Sequence, residues 1–225
     1  MLRELAPNLW VTERPQRFGG VEVGTRMTVI RLPEEKLFLH SPVTLDAGLR
    51  GELGRLGVPR FVVAPNRFHH LYAGEYTRAY PDLALFVAPG LETKRPDLAV
   101  RGVLNADAPP GWRDQIDQLL VHGYPLLNEV VFLHRASRTL IVSDLVFNIH
   151  DDSPSLTRLI FRLIGAYGRC GPSLLERILV RDRAAARDSL TRILTWDFDR
   201  VILAHGRLLE SGGGAALRDG YAWLL

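Results

Sequence analysis

Apolar residues along the chain fall into short runs that stop at polar or turn residues. Leu9-Trp-Val-Thr-Glu13, Thr28-Val-Ile-Arg-Leu32 and Leu37-Phe-Leu-His40 read as strands. The second and third are split by Pro33-Glu-Glu-Lys36, a hairpin signal. Leu45, Leu49, Leu53 and Leu56 then recur at helical spacing until Gly57-Val-Pro59 ends the helix. Phe61-Val-Val-Ala64 is the next strand, followed by a helix over 74–80 and a strand over 83–88 stopped by Pro89-Gly90. Residues 91–111, rich in Pro, Asp and Gly, read as a loop. Three further strands follow over 118–122, 129–134 and 139–143, the last two joined by a turn at Arg135–Arg138.

The end of the chain is helical around one strand, Arg200-Val-Ile-Leu-Ala-His205. Over 155–167, Leu156, Leu159, Ile160, Leu163, Ile164 and Tyr167 share a face, with Arg158, Arg162 and Arg169 elsewhere. Such a helix either packs on the core with solvated arginines or offers a basic amphipathic surface to a membrane or another subunit. Asp182 is placed to cap a helix reaching Trp196, and Gly212-Gly-Gly214 precedes a short terminal helix. Strands and helix are followed by strands and helices with no dividing linker. This order predicts one α/β domain over 1–225, with two half-sheets each covered by helix: a four-layer αββα sandwich.

Three of the apolar runs stop at side chains able to bind metal. Phe61-Val-Val-Ala64 leads to His69-His70, the 139–143 run leads to Asp144, and the last strand ends at His205. Strand ends of that kind gather at the carboxyl edge of a sheet, where open α/β folds bind their substrates.

Composition narrows the field. Lys plus Arg number 28 against 25 Asp plus Glu, and the basic residues are scattered without aromatic interleaving, which argues against nucleic acid as a partner. A single cysteine, Cys170, excludes an intramolecular disulfide and a cysteine-built zinc cluster. No run approaches the ~20 apolar residues of a membrane span, and Met1–Pro7 lacks a signal pattern, so a cytoplasmic protein without stable membrane insertion is expected. No P-loop, dinucleotide fingerprint or nucleophile elbow is present.

These segments resemble the metallo-β-lactamase fold superfamily, and more narrowly its DUF4336 family. The superfamily motif Thr-His-x-His-x-Asp-His falls without gaps on Ala64-Pro-Asn-Arg-Phe-His-His70. Ile141-Val-Ser-Asp-Leu-Val-Phe147 is similar to the segment whose Asp bridges two metals, and Val201-Ile-Leu-Ala-His-Gly206 to the final strand with its ligand His. Leu37-Phe-Leu-His-Ser-Pro42 resembles the family's early Leu-Ile-Asp-Thr-Gly strand.

The resemblance implies that one metal site is lost. Pro65 and Arg67 stand where its first two histidines would be, and Tyr124 falls at the third, with His122 and Glu129 as the other candidates there. It implies a retained second site of His69, His70, Asp144 and His205, with His69 in place of the family's Asp. Three imidazoles and a carboxylate suit one Zn²⁺ or Fe²⁺ ion. Arg67 would put a cation where the first metal sat, either paired with Asp144 or holding an anionic substrate, and Asp144 and Arg67 are the candidate catalytic pair. The function implied is a hydrolase of a small ester, lactone or phosphodiester. The alternative is a metal-free, non-catalytic module that binds a ligand or protein through the old cleft.

Overall fold

Two β-sheets face each other in the computed structural model, which describes residues 1–225. The first is built from β1 (Arg3–Ala6), β2 (Leu9–Arg14), β5 (Thr25–Arg31), β6 (Lys36–His40), β7 (Val58–Ala64), β8 (Ala84–Val87) and β9 (Val100–Val103), in that spatial order. Its early strands pair antiparallel, and from β6 to β9 the pairing is parallel. The second sheet runs β10 (Ile116–Leu120), β11 (Val130–His134), β12 (Thr139–Ile141) and β13 (Arg200–Ile202), with only β12 and β13 parallel. A small hairpin of β3 (Arg17–Phe18) and β4 (Val21–Glu22) stands apart.

Alternation along the strands sends one set of side chains between the sheets and the other toward helices. Val11, Ile30, Phe38 and Val63 from the first sheet meet Ile116, Val130, Phe132 and Ile141 from the second, around the buried Trp112. The outer face of the first sheet is covered by α1 (Ala47–Leu56) and α2 (Ala73–Ala79), through Leu49, Leu53, Ala73 and Tyr76. The outer face of the second is covered by α6 (Arg183–Ile193) and α7 (Gly213–Gly220), through Ala186, Leu190, Ile193 and Leu217. The result is the four-layer αββα sandwich.

Local chemistry sets the helix ends. Asp46 caps α1 by accepting from the Leu49 N–H at 2.7 Å, and Asp182 caps α6 through the Ala185 N–H. Gly57 closes α1 at φ 154°, where a Cβ would lie 2.0 Å from the Glu35 carbonyl oxygen, so no other residue fits.

The structure corrects three parts of the sequence reading. Residues 91–111 are not all loop: α3 (Leu91–Lys94) and the edge strand β9 lie within them. A further helix, α5 (Leu174–Leu179), starts at a Ser173–Glu176 capping box. The helix expected over 155–167 ends earlier, as α4 (Ser155–Leu163), with Gly165 at φ 69° beyond it. Its apolar face is only partly packed. Thr157 and Phe161 are buried and Ile160 and Ile164 pack against the Ile149–Phe161–Ala166 cluster, while Leu156, Leu159 and Leu163 are 54, 53 and 72% exposed. No helix is long and apolar enough to cross a membrane.

Candidate functional site

The parallel strand pairs β6–β7 and β12–β13 end at the same edge of the sandwich, one pair in each sheet. Loops leaving these ends bring His69, Asp144 and His205 together, with one ligand atom from each inside a 4.8 Å sphere of the others. Asp144 Oδ1 lies 3.3 Å from His69 Nε2 and 3.1 Å from His205 Nε2, and the two Nε2 atoms are 3.2 Å apart.

Each ring is aimed from behind. His205 donates its Nδ1 proton to the Gly24 carbonyl at 2.9 Å, which leaves Nε2 with a lone pair in the neutral ring. Phe147 stacks on that ring at 5.8 Å between centroids. Gly206, next in sequence, sits at φ 98°, and a Cβ there would come 2.2 Å from the Asn148 carbonyl oxygen. His69 Nδ1 is held at 2.7 Å by the hydroxyl of Ser41, itself at φ 55° just past β6.

Asn66 ties the site together, and nothing in the motif comparison marks it. Its carbonyl accepts the N–H groups of Phe68 and His69 at 2.8 and 2.9 Å, shaping the loop after β7. Its amide donates to Asp144 Oδ2 at 2.7 Å and to Glu129 Oε2 at 3.0 Å. Glu129, fully buried, also accepts the N–H groups of Ser143 and Asp144 at 2.7 and 2.8 Å. Two carboxylates from one sheet are thus joined through one buried amide from the other.

Two expectations are corrected here. Arg67 does not approach Asp144: its guanidinium donates to the Pro125 carbonyl at 3.3 Å, and no ion pair joins it to a carboxylate. The donor expected from Arg67 comes from Asn66 one position earlier. His70 does not join the ligand cluster either, because Arg95 from the α3 region donates to its Nδ1 at 2.9 Å. A guanidinium has no acceptor, so the neutral His70 ring carries its proton on Nε2. His122 is exposed, and Glu129 stays behind Asn66. Tyr124 is buried, with its hydroxyl sealed from solvent beside Tyr221.

The cluster forms the floor of a cavity of about 460 Å³, lined by 25 residues of which 15 are hydrophobic. Phe68, Leu127, Phe147, Phe161 and Leu175 make up much of its wall, and His70 and Tyr124 also face it. Arg17 is the sole arginine or lysine in the lining.

The spacing of the three ligand atoms fits a metal ion. Ligands at about 2.0–2.2 Å from one ion are ~3.3–3.6 Å apart in a tetrahedron and ~2.8–3.1 Å apart in an octahedron. The observed edges of 3.1–3.3 Å fall between the two. A lone pair, a carboxylate oxygen and a second imidazole nitrogen at this spacing are held together either by a metal ion or by an Nε2 proton of His69.

Burial opposes ionisation of Asp144, but its contacts with His69 and His205 outweigh it and hold the carboxyl well below the usual range. Glu129 is pushed up to about 7 by burial and by Asp144. Burial lowers His40 to about 3, and His70 and His134 to about 4.

These shifts predict an acid-sensitive fold. A histidine with a depressed folded pKa takes up its proton first in the unfolded chain, so its contribution is present at neutral pH and is lost as pH falls from about 6.5 toward 4. Glu129 acts oppositely: its stabilisation is present in acid and lost as pH rises through about 7. Three histidines outweigh one carboxyl, so the urea midpoint should fall between pH 7 and pH 5. His40→Leu should lessen that net fall by roughly half. A midpoint that rises in acid would contradict this.

The fold is that of the metallo-β-lactamases. A family model described as "Domain of unknown function (DUF4336)" matches residues 7–169, and the chain belongs to the DUF4336 family. Among solved structures, the metallo-β-lactamase DIM-1 is similar with a TM-score of 0.68 at 14% identity, over 99% of this chain and 94% of that one. The metallo-β-lactamase FIM-1 from Pseudomonas aeruginosa, in its mono-zinc form, gives 0.64 at 10% identity, over 99% and 91%. The Flv1 flavodiiron core from Synechocystis sp. PCC6803, metal soaked, gives 0.67 at 13% identity, over 100% and 60%. A search of curated proteins finds no match.

Proposed function

We propose that this protein is a single-metal hydrolase of an ester or lactone in a largely apolar substrate. His69, Asp144 and His205 would hold one Zn²⁺ or Fe²⁺ ion. The observation that carries this reading is the convergence of their three ligand atoms on the floor of an apolar cavity. Two imidazoles and a carboxylate suit these ions better than Mg²⁺ or Ca²⁺, which prefer oxygen. Three protein ligands also leave a coordination position open, as catalytic sites do and closed structural sites do not. FIM-1 in its mono-zinc form supports the compatibility of one ion with this fold.

When bound, such an ion supplies an acidified water and polarises a carbonyl. The chain's own residues do the rest. Asp144 stays ionised through its histidine partners while Asn66 fixes its other oxygen. His70 presents Nε2–H to the cavity because Arg95 occupies Nδ1. This donor is suited to the oxygen on which negative charge develops. A phosphodiester would bring its charge into a lining with one cation, so a neutral acyl group fits better.

Hydrolysis of a soluble aryl ester by protein loaded with Zn²⁺ or Fe²⁺ tests this. Turnover should disappear on chelation, and His70→Ala should lower kcat by about 10²-fold with metal content intact. Equal turnover with and without metal would exclude the proposal. One observation favours the second reading, a non-catalytic binding module: the exposed apolar face of α4. That reading predicts a metal-free protein whose biological activity survives Asp144→Ala.

A further inference from the structure

Helices α4 and α5 are apolar on both sides. Their inner residues Ile160, Phe161, Ile164 and Leu179 line the cavity. Their outer residues are left uncovered, with Leu163 and Ile178 each 72% exposed and Leu156, Leu159 and Leu175 each more than half exposed. The helices abut, since the Leu174 N–H donates to the Ile164 carbonyl at 2.8 Å and the Leu174 side chain packs over Gly165. The exposed face is therefore continuous, and it runs into the cavity at Leu175, which is both exposed and part of the lining. Across the mouth, Phe18 and Leu71 are 69 and 56% exposed and also line the cavity.

Arginine dominates this face. Residues 153–181 contain five arginines and a single carboxylate, with Asp151, Asp152 and Asp182 at its edges. That carboxylate, Glu176, is turned inward to the Ser173 N–H at 2.8 Å. Arg162 and Arg181 are exposed, while Arg158 reaches back toward Asp151. Two copies meeting through this face would set like charges against each other. An anionic lipid surface offers the opposite charge and an apolar interior at the same depth.

We propose that the α4–α5 face docks peripherally on anionic membranes and places the cavity mouth at the lipid boundary. An amphiphile could then pass its acyl chain from the bilayer into the cavity without crossing water. The substrate class, an acyl ester presented from a lipid surface, rests on the hydrolase reading. The docking surface does not.

Co-sedimentation with vesicles of neutral phosphatidylcholine, and of an equal mixture with anionic phosphatidylglycerol, tests the docking. The protein should bind the mixed vesicles, bind them less in high salt, and bind the neutral ones weakly. Leu163→Asp combined with Ile178→Asp should abolish binding, and both positions are exposed enough to leave folding unchanged. Arg162→Gln with Arg181→Gln should weaken binding to mixed vesicles by about thirtyfold, from ~1 kcal/mol per arginine.

Absence of wild-type binding would overturn the proposal, as would binding indifferent to the aspartate variant. Self-association without vesicles that the same variant blocks would also overturn it, identifying a second copy as the occupant. The aspartate variant should keep its metal content and its turnover of a dissolved short-chain ester. A loss of ester turnover in wild-type protein would therefore count against the hydrolase alone.

Discussion

Replacing Asn66 with leucine is expected to destabilise the protein by about 4 kcal/mol, from several buried groups left unpaired at ~1–3 kcal/mol each. For a chain of this size that is a fall in Tm of roughly 8–16 °C. The side chain is fully buried and makes four hydrogen bonds that no neighbour can replace. Without it, the Phe68 and His69 N–H groups lose their acceptor, and Asp144 and Glu129 face each other with no shared donor. Asn66→Asp should be as harmful at neutral pH, because it adds a third carboxylate, and should recover in part in acid. Thermal unfolding of the metal-free variants checks both. A fall of less than about 3 °C would show that the amide is not what joins the two sheets at this edge.

The second large effect concerns the ligand set. Asp144→Ala removes the one oxygen that both histidines face, and metal affinity should fall by more than the ~10–100-fold typical of losing an outer-shell partner. His70→Ala should leave metal affinity unchanged and instead lower kcat for an ester, because His70 is held by Arg95 outside the cluster with its Nε2–H toward the cavity. Titration of the apo-proteins with Zn²⁺ separates these outcomes. Equal loss in both variants would restore His70 as a ligand and close the site.

The contrast between His69 and His70 also shows what the chain reveals before folding. Period-two and helical patterns expose most strands and helices, because each has one face on a core and one outside. The parallel pairs β6–β7 and β12–β13 were legible as apolar runs, and so was the gathering of side chains at their ends. The direction of each side chain in the loop after β7 was not. A tight turn held by Asn66 sends two adjacent rings to different partners, and that choice depends on Arg95, Glu129 and Ser41 from distant segments. Asn66 itself occupies an unspecified position of the motif, so only the fold reveals it. Arg67 misled because a cation near a lost metal is chemically reasonable, yet the chain satisfies Asp144 with a neutral amide instead. Helix α5 carried a readable signal in its Ser173–Glu176 capping box, but lies beside a helix whose exposed leucines imitate core positions. Edge strand β9 was obscured by the Pro and Asp residues around it.

The central claim is one metal ion held by three side chains. Elemental analysis of protein purified without added metal, then incubated with Zn²⁺ or Fe²⁺ and desalted, tests it most directly. One ion per chain is expected in the wild type, one in His70→Ala, and none in His205→Ala. No bound ion in the wild type after either incubation would contradict the account and leave a proton shared among His69, Asp144 and His205.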